Sequence, residues 1–220
     1  MPECIVRPAW PSDLVDVASI YSHYVEQTVL TLEETSPDRA AWGRRYWELA
    51  ERGLPFLATE VDGRIGGYAY CAPWKTRSAY RYCVEESIYL APWAAGRGVG
   101  GELLDQILGD CGRMGIREVM AVLTSESVEV ESDSFHLHSS RKFEFVGRLK
   151  RVGHKHGAVL DTVILQRALG DRLVSGSETH PPLRQRQRSK LPDIDNALPG
   201  GPGSDAAHFG LHFFTDRKVK

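Results

Sequence analysis

The stretch "CVEESIYLAPWAAGRGVGGELLDQILGDCGRMGIREVMAVL", residues 83–123, decides the fold. Its opening, 83–91, reads as a β-strand, and a glycine cluster follows. An amphipathic run from about Gly98 to Arg113 predicts a helix, and "IREVMAVL" (116–123) predicts a second strand. Two parallel strands must be joined by a crossover, and strand, helix, strand in that order has this form. The stretch therefore predicts an α/β unit. It also poses a question, because two adjacent carboxylates, Glu85 and Glu86, stand inside the first strand.

Upstream, "CIVRPA" (4–9) predicts a strand and "PSDLVDVASIYSHYVEQ" (11–27) a helix capped by Ser12, with Leu14, Val17, Ile20, Tyr21 and Tyr24 on one face. "SPDRAAWGRRYWELAERG" (36–53) predicts a second helix, with Ser36 as cap, Pro37 at the first position and Gly53 as stop. Two β-type runs, 55–61 and 65–72, flank Asp62-Gly63 and read as a hairpin. Downstream, a short helix around Ser134–Arg141 and strands near 144–152 and 158–167 complete a domain spanning 1–168. Residues 169–220 are rich in Pro, Gly, Ser and charge without apolar periodicity, and read as a disordered tail.

The 220 residues carry a formal charge of −2, with 42% hydrophobic and 25% charged residues. That is the composition of a globular protein with a real core, and it offers no global attraction to nucleic acid or to an anionic membrane. No window reaches the roughly 18 apolar residues of a membrane span, so the expected address is the cytoplasm. The four cysteines lie far apart without a CxxC pair and read as reduced thiols. His136, His138, His154 and His156 raise the question of metal. Helical residues two apart point about 200° away from each other, and no Cys or carboxylate cluster joins them, so no metal is expected.

"AGRGVGGELL" (95–104) lies between strand and helix, where the first amides of the helix lack intrahelical partners and the dipole is positive. Such a turn is an anion site, with Arg97 able to add charge-assisted contacts. A Walker loop is ruled out because no Lys-Ser/Thr follows Gly100 or Gly101. The Rossmann fingerprint has a different glycine spacing and belongs on the first strand of its unit. A pyrophosphate cradle for coenzyme A and a purely structural tight turn both stay open on the residues alone.

Here the sequence resembles a family. "ESIYLAPWAAGRGVGGELLDQIL" is similar to the acetyl-coenzyme A signature of the GNAT N-acetyltransferases. "YAYCAPWKTRSAYRYCVEESIYL" (68–90) resembles more specifically the phosphinothricin and methionine sulfoximine acetyltransferase branch. Trp74, Lys75, Arg77, Tyr80, Val84, Glu85, Ser87, Ile88 and Tyr89 fall in register with its pattern. "TLEETSP" (31–37) and "GHKHGAVLDTVILQ" (153–166) extend the likeness, so it covers roughly residues 3 to 168.

The resemblance implies an α/β fold built on a mostly antiparallel, twisted mixed sheet. It would hold one parallel βαβ pair at the acetyl-CoA site and about four flanking helices. Acetyl-CoA is the implied co-substrate and a small glutamate-like amino acid the implied acceptor. Glu85 matches the family's general base, and His138 stands at the offset of its general acid. The implied cofactor-binding residues are Ile88, Tyr89, Leu90, Gly96, Arg97, Gly98, Val99, Gly100, Gly101 and Glu131. Lys75, Arg77 and Tyr80, with Glu85, are the implied substrate-binding residues. The family often forms homodimers, which makes a homodimer an expectation here. The chain departs from the pattern at three places: Ala95 replaces a Gln or Arg, Glu131 an Asn, and Lys142 the Gly of a Gly-Phe turn.

The chemistry agrees with these residue types. Acetyl transfer to an amine needs a base to take the ammonium proton. Period-two alternation sends Glu85 and Glu86 to opposite faces, so only one can serve alongside Ser87 and Tyr89, while the other is solvent-facing or paired. Lys75 and Arg77 offer cations for an anionic substrate group. Two other readings remain: the same fold acting on another amine, and a noncatalytic acyl-CoA-binding module.

Overall fold

The computed structural model describes residues 4–125 and 132–170. Along the chain run β1 (Cys4–Pro8), α1 (Leu14–Gln27), α2 (Arg39–Glu51), β2 (Phe56–Val61), β3 (Arg64–Pro73), β4 (Cys83–Leu90) and α3 (Val99–Arg113). They continue with β5 (Glu118–Ser125), α4 (Asp133–Ser139), β6 (Glu144–Lys155) and β7 (Ala158–Ala168). The strands form one sheet in the order β1-β2-β3-β4-β5-β7-β6. All neighbours are antiparallel except β4 and β5, the parallel pair joined by α3. The expected mixed α/β architecture is the one observed. The proposed tail from 171 onward and Glu131 lie outside the described residues.

Local chemistry sets the element ends. Both predicted helix caps lie further along than Ser12 and Ser36. A 3₁₀ turn, Pro11–Asp13, precedes α1, and the Asp13 carboxylate turns back to accept from the Trp10 amide at 2.7 Å and from Arg7. Asp38 caps α2 by accepting from the Ala41 amide at 2.7 Å. Ser36 bonds Ser22 and Glu26 instead, because its side chain faces α1. Asp62 and Gly63, with φ of 50° and 77°, supply the two left-handed residues that a tight hairpin between β2 and β3 needs.

Alternation along β3 and β4 divides the core into two layers. Tyr68, Tyr70 and Tyr89 face α1 and α2, where they join Tyr21, Phe56 and the fully buried Trp42 in an aromatic cluster; Trp42 meets its neighbours edge-on, while Tyr68 stacks on Tyr70 and Tyr89. The opposite face receives α3 through Leu103, Leu104 and Ile107, all essentially without exposure. On this side Cys71 of β3 and Cys111 of α3 bring their sulfurs to 3.4 Å, both buried thiols.

The seam between the two halves of the sheet is short. β4 and β5 pair only from Cys83 to Glu86, opposite Glu118 to Ala121, whereas β3 stays with β4 as far as Leu90. Beyond Glu86 the sheet therefore forks. The loop between α1 and α2 crosses from the β4 half to the β5–β6 half. There Thr124 bonds the Val29 carbonyl at 2.6 Å and Lys155 the Thr31 carbonyl at 2.9 Å.

Candidate active site

The fork exposes hydrogen-bonding groups of a strand edge. Ala91 donates to Gly66, so the alternation of an antiparallel ladder turns the peptides of 85, 87 and 89 toward β3. Those of 86, 88 and 90 face the other way. Glu86 still meets β5; Ile88 and Leu90 face the gap. A linear, amide-bearing ligand can pair with such an edge as an added strand would.

Past Leu90, a 3₁₀ turn (Pro92–Ala94) leads into the glycine segment. Gly96 and Gly98 take φ of 75° and 82°, which side-chain-bearing residues adopt only at a cost. A Cβ at either would meet nothing within 4 Å, so their purpose is backbone conformation, not close packing. Gly98 caps α3, and the amides of Gly101 and Glu102 both return to its carbonyl at 2.9 and 3.3 Å. The amides before them open outward at the positive end of the helix. Arg97 is exposed beside them, while Val99, Gly100 and Gly101 are buried. Arg141, bonded to Asp105 at 2.8 and 3.0 Å, covers Gly101, where a Cβ would strike its guanidinium. Sequence reasoning missed Arg141, because the contact joins α3 to the turn after α4, far apart in the chain.

The two carboxylates part as alternation requires. Glu85 stands opposite Ala72 on the α1/α2 face, with Ser87, Tyr89 and Tyr70 along the same side. Burial is the main cause that pushes its pKa up to about 7; the nearby Glu86 charge adds to this and Lys75 opposes it. Of the expected substrate-binding residues it is Lys75, its ammonium 4.4 Å from the Trp74 ring, whose charge acts on Glu85. Arg77 and Tyr80 lie on the same exposed loop, around the 3₁₀ turn Ser78–Tyr80.

Glu86 points the other way into the protein, and the two alternatives left open for it resolve to a buried pairing. Its Oε1 lies 2.6 Å from Nε2 of His138, with Glu86 4% and His138 1% exposed. His138 Nδ1 lies 2.6 Å from the Ser134 carbonyl, an acceptor, so Nδ1 carries a proton. Burial lowers the imidazole's proton affinity, but the charge and hydrogen bond of Glu86, with help from the Ser134 carbonyl, outweigh it and raise the pKa. Glu86 Oε2 is buried without a hydrogen-bond partner. Phe143 closes the cage edge-on at 4.9 Å. Lys142, just before it, holds φ of 63°, the left-handed conformation for which a glycine is suited.

Tyr24 and Lys155 also went unrecognised in the sequence. Tyr24 matched a helical core face, yet its hydroxyl reaches the Leu90 carbonyl at 2.8 Å. Lys155 is a 2% exposed lysine whose ammonium meets backbone carbonyls of the α1 end and the following loop. Among the described residues no group of three or more His, Cys, Asp or Glu is arranged to hold a metal ion. Among them, too, no helix is long and apolar enough to cross a membrane.

A sheet forked at a parallel seam, with a glycine turn opening a helix beside it, sets a strand edge next to an anion site, the arrangement expected of an acetyl-CoA-dependent acyltransferase. The chain belongs to the acetyltransferase (GNAT) family, whose model matches residues 17–138. It is 37% identical over 166 residues to the phosphinothricin N-acetyltransferase of Alcaligenes faecalis, covering 76% of this chain and 83% of that one. It is 30% identical over 169 residues to the L-methionine sulfoximine/L-methionine sulfone acetyltransferase of Salmonella typhimurium, covering 76% and 95%. The fold is similar to the crystal structure of a phosphinothricin acetyltransferase from Sinorhizobium meliloti in complex with acetyl-CoA. There the TM-score is 0.76 at 35% identity, covering 84% of this chain and 99% of that one.

Proposed function

We propose that this N-acetyltransferase moves the acetyl group of acetyl-CoA to the α-amino group of a small glutamate-like amino acid, with Glu85 as general base. The observation that carries the reading is a half-buried carboxylate beside the fork, its proton affinity raised to about 7. A base of that strength is half ionised near neutrality and strong enough to accept the proton of an ammonium group.

The residues present fit the donor. Ile88 and Leu90 offer an edge of peptide groups in the gap, and the Gly96–Gly101 turn with Arg97 offers amides and a cation for a diphosphate. Bound there, acetyl-CoA supplies an activated acyl carbon. Lys75 and Arg77 attract the acceptor's anionic group, Tyr80 borders it, and Glu85 takes the amine proton. His138, with both ring nitrogens bonded inside the protein, holds Glu86 in this reading; protonation of the departing thiolate is not assigned to it.

The test is thiol release from acetyl-CoA with a panel of amines. Phosphinothricin, methionine sulfoximine or methionine sulfone should release thiol fastest. A polyamine or peptide N-terminus outpacing them would redirect the acceptor, and coenzyme A binding without turnover of any amine would make the chain a binding module. The reading includes a homodimer. Edge strand β6 exposes Phe145, Val146, Leu149 and Val152, apolar side chains along an edge available to a second copy. Sedimentation should give twice the monomer mass, and Val146→Asp with Val152→Asp should return the monomer.

A further inference from the structure

The fork leaves Leu90 without a strand on its β5 side, yet its peptide is not bare. The Tyr24 hydroxyl donates to the Leu90 carbonyl at 2.8 Å, and the Leu90 amide lies 3.4 Å from the same oxygen. One phenol thus touches both polar groups that β5 would have satisfied had the strands stayed together. Its ring stands edge-on to Tyr89 at 5.0 Å, which fixes its reach. Burial raises the Tyr24 pKa, the Leu90 hydrogen bond partly offsetting this, so the phenol stays protonated and remains a donor.

Tyr24 is held in turn from across the fork. It sits in the last turn of α1, where carbonyls lack intrahelical partners. Its own carbonyl accepts from Thr28 Oγ1 at 2.8 Å and from the Lys155 ammonium at 3.3 Å. His156 Nε2 lies 3.1 Å from the next carbonyl, Val25. Lys155 and His156 belong to the β6–β7 hairpin, on the far side of the gap. A cation at a helix C-terminus is favourable, and this one is buried against carbonyls on two sides of the loop.

We infer that Tyr24 is a positioning residue for the acyl donor: anchored by Lys155, its hydroxyl holds the Leu90 peptide in line along the fork, aligned for the donor's amide arm. This rests on the reading that the fork receives acetyl-CoA. The Leu90 carbonyl has a second lone pair, so Tyr24 can stay on it while the longer contact to the amide gives way to the donor. Tyr24 therefore acts on donor binding through the strand, not on the proton transfer at Glu85.

Tyr24→Phe removes one oxygen and keeps the ring. We expect KM for acetyl-CoA, and the dissociation constant of coenzyme A by calorimetry, to rise about five- to tenfold, the value of one such hydrogen bond. The kcat at saturation and KM for the amine should stay within about twofold. Lys155→Met should raise the same two donor constants. The double variant should fall short of the product of the singles, because both act on one peptide. Unchanged donor constants in a folded Tyr24→Phe protein overturn the inference, as does a fall in kcat with no change in donor KM. Full additivity of the two substitutions overturns the anchoring by Lys155. If the wild-type protein itself fails to bind coenzyme A, the failure lies instead with the underlying function.

Discussion

Replacing Glu85 by glutamine tests the base and its physical origin together. The carboxyl's pKa moves from an ordinary 4.5 to about 7 because burial penalises the charged form. Between those values the folded protein holds a proton that the unfolded chain has released, so stability falls as pH rises through the window. Above about pH 7 the folded state carries the full cost of a desolvated carboxylate. At face value that shift corresponds to roughly 3 kcal/mol. Glu85 is partly exposed, and solvent screening reduces the expected cost to about 1–2 kcal/mol. Glutamine has the same shape and no charge to desolvate. Glu85→Gln should therefore be more stable than wild type by about that amount near pH 8.5 and equal to it near pH 4.5, while thiol release falls at least about tenfold. Urea melts at the two pH values, alongside the release assay, supply both readouts. A variant that loses activity but gains no stability at the higher pH would refute burial as the source of the raised proton affinity. One that keeps its activity would refute Glu85 as the base.

The buried pair ranks two further substitutions. His138→Leu strands the Glu86 carboxylate and should cost about 3–5 kcal/mol, whereas Glu86→Gln can still hydrogen-bond the imidazole through its amide and should cost about 1 kcal/mol; urea melts in the reverse order would dismiss the pairing. At Lys142, held at φ 63°, glycine relieves backbone strain, so Lys142→Gly should raise the unfolding free energy by about 0.5–1 kcal/mol, measured by the same melts. Gly98→Ala, at φ 82°, should lose about 1 kcal/mol of stability and raise KM for acetyl-CoA several-fold, since the turn's amides must reorient; an unchanged KM would argue against a cradle there.

The seam and crossover were legible because periodicity is local: β4, α3 and β5 each announce themselves within about ten residues. Alternation on β4 likewise separates Glu85 from Glu86 from the sequence alone. The helix caps were misplaced because serine and aspartate compete for the same role over two or three positions, and tertiary partners decided it: Arg7 for Asp13, α1 for Ser36. Where β4 and β5 part was not legible, since nothing in "SIYLA" states that its parallel neighbour departs after Glu86. Tyr24, Glu86 and Lys155 were hidden for a related reason. Each owes its role to a partner more than 50 positions away: Leu90, His138 and the end of α1.

The sulfurs of Cys71 and Cys111, sealed between sheet and α3, also bear on how thiol release is measured. A chromogenic disulfide that captures coenzyme A cannot reach them while the chain is folded, so they add no background colour. Once the native packing is lost both become reactive, and a stepwise increase in absorbance reports it. The same cuvette thus scores turnover and integrity at once, with Cys4 and Cys83, only half-buried, as the sulfurs to silence first.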